Sequence, residues 1–170
     1  MVLVQQLPVH TYLQRRRIFF ETVPHVTTET AMAEARALTL PGDNVLKAVM
    51  LRVNRGFAMA ILPASRRIDM NLVMQSIPDP RVRLATEEEI ASAFPDYELG
   101  ALPPIPEVLG IPGFVDPTVF DNEEAAFADG LQTESLIANV RELFWGQDVT
   151  VVPISAPYEL HPAWDLNGWG

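Results

Sequence analysis

The sequence contains no cysteine among its 170 residues. Disulfides, thiolate metal sites and cysteine nucleophiles are therefore excluded. Long apolar runs are absent as well, because no stretch approaches the ~20 apolar residues that a membrane-spanning helix requires. Residues 1–6 lack the basic flank and the long apolar core of a secretory signal. We therefore expect a cytoplasmic protein that has no membrane partner.

Basic residues are scarce, with 12 lysines and arginines against 22 aspartates and glutamates and a net charge of −10. Extensive binding of nucleic acid normally requires a basic face, so the charge argues against DNA as a partner. It leaves open the recognition of one small anionic end in a local positive pocket.

The familiar catalytic motifs are also missing, since there is no Walker loop, no GxGxxG and no HExxH. His10, His25 and His161 lie far apart without the spacing typical of metal ligands. No GxSxG motif supports a Ser-His-Asp triad, although the sequence leaves such a triad open. We expect no metal and no cofactor. An enzyme of this composition would depend on substrate positioning and backbone donors more than on proton transfer by side chains.

Short helical and strand patterns alternate irregularly along the chain, which predicts an α+β domain. We expect a mixed, strongly curled, barrel-like β-sheet with helices packed around it. The prediction is a single domain over residues 1–157, followed by a C-terminal tail over residues 158–170 that has no periodicity. Helices are predicted over residues 8–14, 31–38, 71–75, 87–94 and 140–145, and strands over residues 18–23, 45–53, 57–62, 82–85, 124–128, 134–138 and 149–154.

The central strand Val45–Val53 carries one lysine, Lys47, within an apolar run. Phe57–Leu62 pairs with it across the glycine-containing connection Asn54–Gly56, which is typical of a hairpin. A buried ammonium without a partner is costly. Spacing alone favours a strand-end lysine that extends its amine into water. The other interpretation is a lysine that reaches into a cleft to hold an anionic ligand.

Residues 95–117 differ in composition from the rest of the chain, with six prolines, three glycines and few charges among apolar residues. A disordered linker would carry more charge and fewer apolar residues. The composition therefore predicts an ordered, stiff loop, and ordered loops of this length are usually functional. A stiff connection between strands is the alternative.

Five features occur together in order: residues 45–53 with Lys47, residues 57–69, residues 84–89, Gly100–Pro104 and Phe114–Asp116. Their combination resembles the YbaK/prolyl-tRNA synthetase-associated (INS-like) aminoacyl-tRNA editing domains, over roughly residues 3–155. The resemblance implies a free-standing trans-editing aminoacyl-tRNA deacylase. Such an enzyme hydrolyses the ester of a mischarged tRNA that carries a small amino acid, namely alanine, cysteine or serine. In this family the tRNA's own ribose hydroxyl and a positioned water serve the reaction, with no obligatory protein nucleophile or metal.

The same resemblance assigns site residues. It implies catalytic roles for Lys47, which would hold the terminal adenosine or its phosphate, and for Gly100 in the GxxxP loop. The implied substrate-binding residues are Ala101, Leu102, Pro103, Pro104, Asp129 and Gly130. The chemistry fits, because a lysine is a compact charge suited to one phosphate. Glycine allows close backbone approach, and proline fixes the shape of a loop.

Two departures from the family pattern bear on function. Many editing members have a polar residue, often asparagine, after the lysine, whereas this chain has Ala48. Relatives often have a small or neutral residue where this chain has Asp129. The alternative is therefore a non-catalytic module of the same fold that binds a nucleotide or a tRNA end. A third hypothesis is a protein-interaction domain that uses Trp164 and Trp169.

The expected partner is the acceptor end of an aminoacyl-tRNA, and an aminoacyl-tRNA synthetase is a further candidate partner.

Overall fold

The computed structural model describes residues 8–158, which form six helices and ten strands. The helices are α1 Pro8–Arg15, α2 Ala31–Leu38, α3 Met70–Ser76, α4 Glu87–Ala93, α5 Pro106–Leu109 and α6 Val140–Phe144. The strands are β1 Phe20–Pro24, β2 Leu46–Val53, β3 Gly56–Pro63, β4 Arg66–Ile68, β5 Arg83–Leu84, β6 Gly113–Val115, β7 Glu124–Ala128, β8 Glu134–Asn139, β9 Val149–Val151 and β10 Ser155–Pro157. Short 3-10 turns cover Gly42–Asn44 and Pro117–Asp121.

The strands form three sheets within the described residues. The largest has five strands in the order β5-β2-β3-β6-β9, the second has the order β1-β8-β7, and β10 pairs with β4. In the largest sheet, β2 runs antiparallel to β3 and β5, whereas β6 runs parallel to β3 and β9. The prediction of a mixed sheet in an α+β fold is therefore confirmed.

The prediction of a strongly curled, barrel-like sheet is wrong. The five-stranded sheet ends at β5 and β9, which do not pair with each other, and one parallel bridge between Val45 and Ala126 joins it to the three-stranded sheet. Its edge strands contain only two and three residues. Closure of a barrel requires neighbouring strands that pair all the way round with a consistent tilt and stagger. Edges this short leave the sheet open.

The β2–β3 hairpin is the centre of the fold. Its strands pair in register from Leu46 opposite Pro63 to Val53 opposite Gly56. Residues 58–63 of β3 are all buried, because strands or helices cover both faces of that strand. The hairpin predicted from the apolar runs and the glycine turn is confirmed.

Helix caps explain where the two site helices begin. α4 starts with the predicted capping box, in which the Thr86 hydroxyl accepts from the Glu89 N–H and the Glu89 carboxylate accepts from the Thr86 N–H. α2 spans the predicted residues, and its N-cap is Thr30, whose hydroxyl accepts from the Ala33 N–H at 3.1 Å. These caps fix the ends of two helices that border the cleft described below.

The core has two main parts on opposite faces of the five-stranded sheet. One lies between this sheet, the three-stranded sheet, α1 and α6, and contains Phe127 and Leu136. The other lies under α3 and contains Leu51 and Val73. No helix in residues 8–158 is both long and apolar enough to cross a membrane. Apart from Tyr158, the tail predicted over residues 158–170, including Trp164 and Trp169, lies outside the described residues, so the division at residue 157 stays a prediction.

Candidate functional site

The outer edge of β2 is open where the two larger sheets diverge. Leu51 pairs with Leu84 of β5, and Val45 bridges to Ala126 of β7. Between these points, β2 has no strand neighbour on that side within residues 8–158. The Met50 carbonyl accepts from the Ala85 N–H at 2.9 Å on this edge. Since peptide groups alternate along a strand, those of residues 46 and 48 face the same gap.

A cleft of about 300 Å³ fills this gap. β2 contributes one wall, α2 a second, α4 a third, and the loop from residue 97 to residue 102 closes the remaining side. The lining side chains are mostly apolar, with a few charged groups among them: Lys47, Glu34, Glu87 and Glu98. A concave, largely apolar site with few polar groups is typical of small-ligand recognition.

Lys47 lines the cleft and is half-buried. Its Nζ lies 3.5 Å from the Tyr158 hydroxyl and 5.7 Å from the centre of the Tyr158 ring. Within residues 8–158, no carboxylate lies within 4.0 Å of this amine. A contact with an aromatic ring stabilises an ammonium but does not neutralise it. The charge of Lys47 is therefore available to an anionic group in the cleft.

Gly100 occupies a position that only glycine fits. Its φ is +72°, and a Cβ there would lie 1.8 Å from the carbonyl oxygen of Glu29. The close approach joins the loop to the segment that leads into α2. On the other side, Gln132 donates from Nε2 to the Leu99 carbonyl at 2.8 Å, and the Glu98 N–H donates to the Gly130 carbonyl at 2.9 Å. The loop is thus held from both sides before any ligand binds.

The other GxxxP residues divide into two groups. Leu102 lines the cleft, as does Gly100, whereas Ala101, Pro103 and Pro104 are buried and do not line it. The Ala101 N–H donates to the Glu98 carbonyl at 3.0 Å. Among residues 8–158, the N–H groups of Gly100 and Leu102 have no protein acceptor. These two N–H groups are therefore not used by bonds within the described part of the chain.

Gly130 contacts the cleft indirectly. A Cβ at this position would lie 2.8 Å from Cδ1 of Tyr97, a side chain that lines the cleft. The absence of a side chain at residue 130 therefore allows the Tyr97 ring to pack closely against the β7–β8 turn.

Asp129 is fully buried and does not line the cleft. It accepts from the Leu131 N–H at 3.1 Å and lies 3.2 Å from Nε2 of His10, which is 3.7 Å from Glu134. Burial, reinforced by Glu134, raises the pKa of Asp129 to about 6. The contact links α1 to the β7–β8 turn. His10, Asp129 and Glu134 are also the one group in residues 8–158 whose three ligand atoms, within 4.8 Å of one another, could hold a metal ion.

Glu34 is a cleft residue that the sequence reasoning missed. It is 4% exposed, its Oε2 accepts a short hydrogen bond from the Ser135 hydroxyl, and burial raises its pKa to about 7. A signal existed in the sequence, because helical spacing places Glu34 on one stripe with Ala31, Ala35 and Leu38. An acid on an otherwise apolar stripe indicates a buried carboxyl group with a specific partner.

A serine, a histidine and an acid do meet behind the cleft, but their order differs from that of a catalytic triad. Ser135 donates to Glu34, and His25 lies 2.8 Å from the Ser135 Oγ through Nε2. In a triad the histidine stands between the acid and the serine, so that it can take the serine proton. Here the serine stands in the middle and is fully buried. This arrangement supports Glu34 and does not form a nucleophile.

The family model for the aminoacyl-tRNA editing domain matches residues 25–144, most of the chain. The matched range includes β2 with Lys47, the loop with Gly100, and the β7–β8 turn. The chain belongs to the aminoacyl-tRNA editing domain family. The resemblance to YbaK-type editing domains is thereby confirmed, while the roles of individual residues remain predictions.

Solved structures agree with the fold of an editing domain. A protein described as hypothetical shares 22% identity with a TM-score of 0.77, and the alignment covers 88% of this chain and 99% of that one. A scaffold used for computational epitope grafting shares 18% identity with a TM-score of 0.72, and the alignment covers 90% of this chain and 96% of that one. A candidate trans-editing enzyme for prolyl-tRNA synthetase shares 21% identity with a TM-score of 0.68, and the alignment covers 86% of this chain and 94% of that one. Identities this low establish the fold alone. Among curated proteins, none matches the chain.

Proposed function

We propose that this editing domain is a trans-editing aminoacyl-tRNA deacylase. It hydrolyses the ester between a small amino acid (alanine, cysteine or serine) and the terminal ribose of a mischarged tRNA. One observation carries the proposal: the Lys47 ammonium and the backbone of the Gly100 loop border the same small cleft. No carboxylate of residues 8–158 lies within 4.0 Å of that ammonium. Membership of the editing family supplies the substrate class.

Lys47 has the role of positioning the end of the tRNA. Its ammonium binds the phosphate of the terminal adenosine, which places the ribose at the mouth of the cleft. The Gly100 loop has the role of framing the ester. In this proposal the N–H groups of residues 100 and 102, which have no acceptor in residues 8–158, donate to the carbonyl oxygen as its negative charge develops. Pro103 and Pro104 keep the loop in shape, so that little entropy is lost when the substrate binds.

The reaction in this proposal is a hydrolysis that needs no protein nucleophile. A water oxygen attacks the ester carbonyl carbon, the bond from that carbon to the ribose oxygen breaks, and the ribose oxygen takes the proton. The neighbouring ribose hydroxyl of the tRNA orients the water. The products are a free amino acid and an uncharged tRNA. Positioning and electrostatic stabilisation of this kind can each supply several kcal/mol to the reaction.

The size of the cleft favours a small amino acid. About 300 Å³ lies at the lower end of the range for small-ligand pockets, and the terminal ribose must share this space. The Gly100 loop cannot retreat to enlarge it, since the loop contacts Glu29 and Gln132. In this proposal these backbone contacts limit the cleft to small side chains. In this proposal the acceptor end of the tRNA is the main partner, a synthetase such as the prolyl enzyme is a second, and the site of action is the cytoplasm.

A non-catalytic binding module is the second candidate function. Three carboxylates, Glu34, Glu87 and Glu98, line the cleft against the single ammonium of Lys47. Ala48 supplies no polar side chain next to it. These features weigh against turnover, and in this second proposal the cleft only binds the tRNA end.

A deacylation panel separates the two functions. The purified protein is incubated with alanyl-, cysteinyl- and seryl-tRNA on several tRNA bodies, beside Lys47→Ala and the control Arg55→Ala in the exposed β2–β3 turn. Turnover of one or more substrates, retained by Arg55→Ala and lost by Lys47→Ala, supports the deacylase. Absence of turnover on the whole panel, with binding of the acceptor end retained, supports the binding module.

A further inference from the structure

Glu34 combines deep burial with a carboxylate oxygen that has no hydrogen-bond partner in residues 8–158. The side chain is 4% exposed, and Oε2 accepts from Ser135. The other oxygen, Oε1, accepts no hydrogen bond from residues 8–158. In this part of the chain, Oε1 of Gln147 is the only side-chain polar atom that is fully enclosed and has no partner. Oε1 of Glu34 is therefore not fully enclosed. Glu34 lines the cleft and also a narrower cavity that has no room for a water molecule, so the cleft is the space from which a ligand can reach the open oxygen. A carboxylate oxygen in such a place favours a ligand that donates hydrogen bonds.

No cationic side chain in residues 8–158 contacts Glu34 directly. Ser135 on β8 is neutral. His25, whose charge lowers the pKa of Glu34, reaches it only through that serine. Asp129 at the end of β7 adds negative charge nearby. Lys47 on β2 forms no ion pair with Glu34 at 4.0 Å or less. An incoming cation would therefore find a carboxylate that has no direct cationic partner in residues 8–158.

The charges at the end of an aminoacyl-tRNA are complementary to those of Lys47 and Glu34. The phosphates carry negative charge on one side of the ester, and the α-ammonium of the amino acid carries the only positive charge on the other side. Lys47 and Glu34 project from two different walls of the cleft, β2 and α2. A substrate whose phosphate lies at Lys47 can extend its amino acid toward α2.

We propose that Glu34 binds the α-ammonium group of the aminoacyl moiety and so selects substrates with a free amine. This inference rests on the proposed function, because it assigns the amino-acid end of the same substrate. The Ser135 hydroxyl holds the carboxylate in place, and His25 holds the serine. Burial raises the pKa of Glu34 to about 7, and a bound ammonium would lower it by stabilising the ionised form.

The test compares two stable amide analogues, 3′-alanylamino-3′-deoxyadenosine 5′-phosphate and its N-acetyl derivative, which has no positive charge. Calorimetry measures their binding to the wild type, Glu34→Gln and the control Glu88→Gln, an exposed α4 side chain outside the cleft. Glutamine keeps an acceptor for Ser135, and a melting curve verifies that the variant folds. We expect Glu34→Gln to lose at least about tenfold in affinity for the free amine, as for a hydrogen bond to a charged group, and to leave the N-acetyl derivative unchanged.

Each result has a separate meaning. Equal losses for both analogues, or no loss for the free amine, would overturn the assignment even if the wild type deacylates tRNA. A lower kcat in Glu34→Gln with unchanged binding of the free amine would also overturn it and would make Glu34 a proton acceptor. Amine selectivity that depends on Glu34 in a protein without turnover would contradict the deacylase but support this assignment. Absence of both binding and turnover would overturn both.

Discussion

At the residue scale, Glu34 and Asp129 are carboxyl groups that the folded protein largely removes from water. Burial raises the pKa of Glu34 to about 7 and that of Asp129 to about 6. The folded protein therefore holds these protons more tightly than the unfolded chain does. When the folded state binds more protons, the free energy of unfolding falls as the pH rises. The relevant window runs from about pH 4.5, near the ordinary pKa of glutamate, to about pH 7.

We predict that the protein is more stable at pH 5 than at pH 8. One pKa unit corresponds to about 1.4 kcal/mol, so Glu34 alone can change the free energy of unfolding by on the order of 2 kcal/mol. Glu34→Gln should flatten this dependence and raise stability at pH 8, whereas Glu88→Gln should leave the pH dependence as it is. Urea unfolding at several pH values measures the effect. Stability that increases steadily from pH 5 to pH 8 would contradict the burial argument.

At the scale of elements, the loop over residues 97–104 is held by its neighbours on both sides. Its glycine contacts the backbone before α2, and its carbonyls and amides bond to the β7–β8 turn. Gly110, at the end of α5, has nearly the same backbone angle, with φ +71° against +72°, but nothing lies within 4 Å of a Cβ there. The two glycines therefore separate the cost of backbone strain from the cost of a steric collision.

Gly110→Ala should destabilise the protein by about 1 kcal/mol, the usual cost of a left-handed alanine. Gly100→Ala adds the collision with the Glu29 carbonyl, so we expect at least about 2 kcal/mol and a large loss of deacylation. Denaturant unfolding and the tRNA assay measure the two effects. Equal stability losses in the two variants would show that the loop is free to move away from α2.

Elements with a local cause could be predicted from the sequence, whereas contacts between distant segments could not. The β2–β3 hairpin follows from its turn, and α4 follows from the capping box at Thr86. β6 lies inside the proline-rich segment and pairs with β3 in parallel, so its partner is distant in sequence. No local pattern marks such a strand. The barrel prediction failed for the same reason, since closure depends on which edges meet.

The roles of the predicted site residues stay predictions, but the structure shows where these residues lie. The family pattern pointed to Lys47 and the Gly100 loop, and both border the cleft. Asp129 was expected at the substrate, but the structure places it in a buried contact with His10. Glu34 went unnoticed, because its partner Ser135 lies 101 positions away in the sequence. The spacing of α2 marks the acid, but its partner becomes visible only in the folded chain.

At the scale of the whole molecule, the net charge of −10 limits how the protein can contact tRNA. A protein that touches many phosphates releases many counterions, so its affinity falls steeply with salt. Here one ammonium lines the cleft. We predict that the affinity for tRNA depends only weakly on salt, with the logarithm of the binding constant falling by about 1 to 2 per unit of log salt concentration. Titrations of aminoacyl-tRNA at several salt concentrations measure the slope, and a slope of about 5 or more would indicate an extended basic surface.

The central claim is that Lys47 serves hydrolysis of the aminoacyl ester, and single-turnover deacylation of alanyl-, cysteinyl- and seryl-tRNA tests it most directly. We predict that the wild type releases at least one of these amino acids. Lys47→Ala should slow the release by about 100-fold or more, as expected when a positioned charge is removed from a site of this kind. Wild-type rates retained by Lys47→Ala would contradict the account.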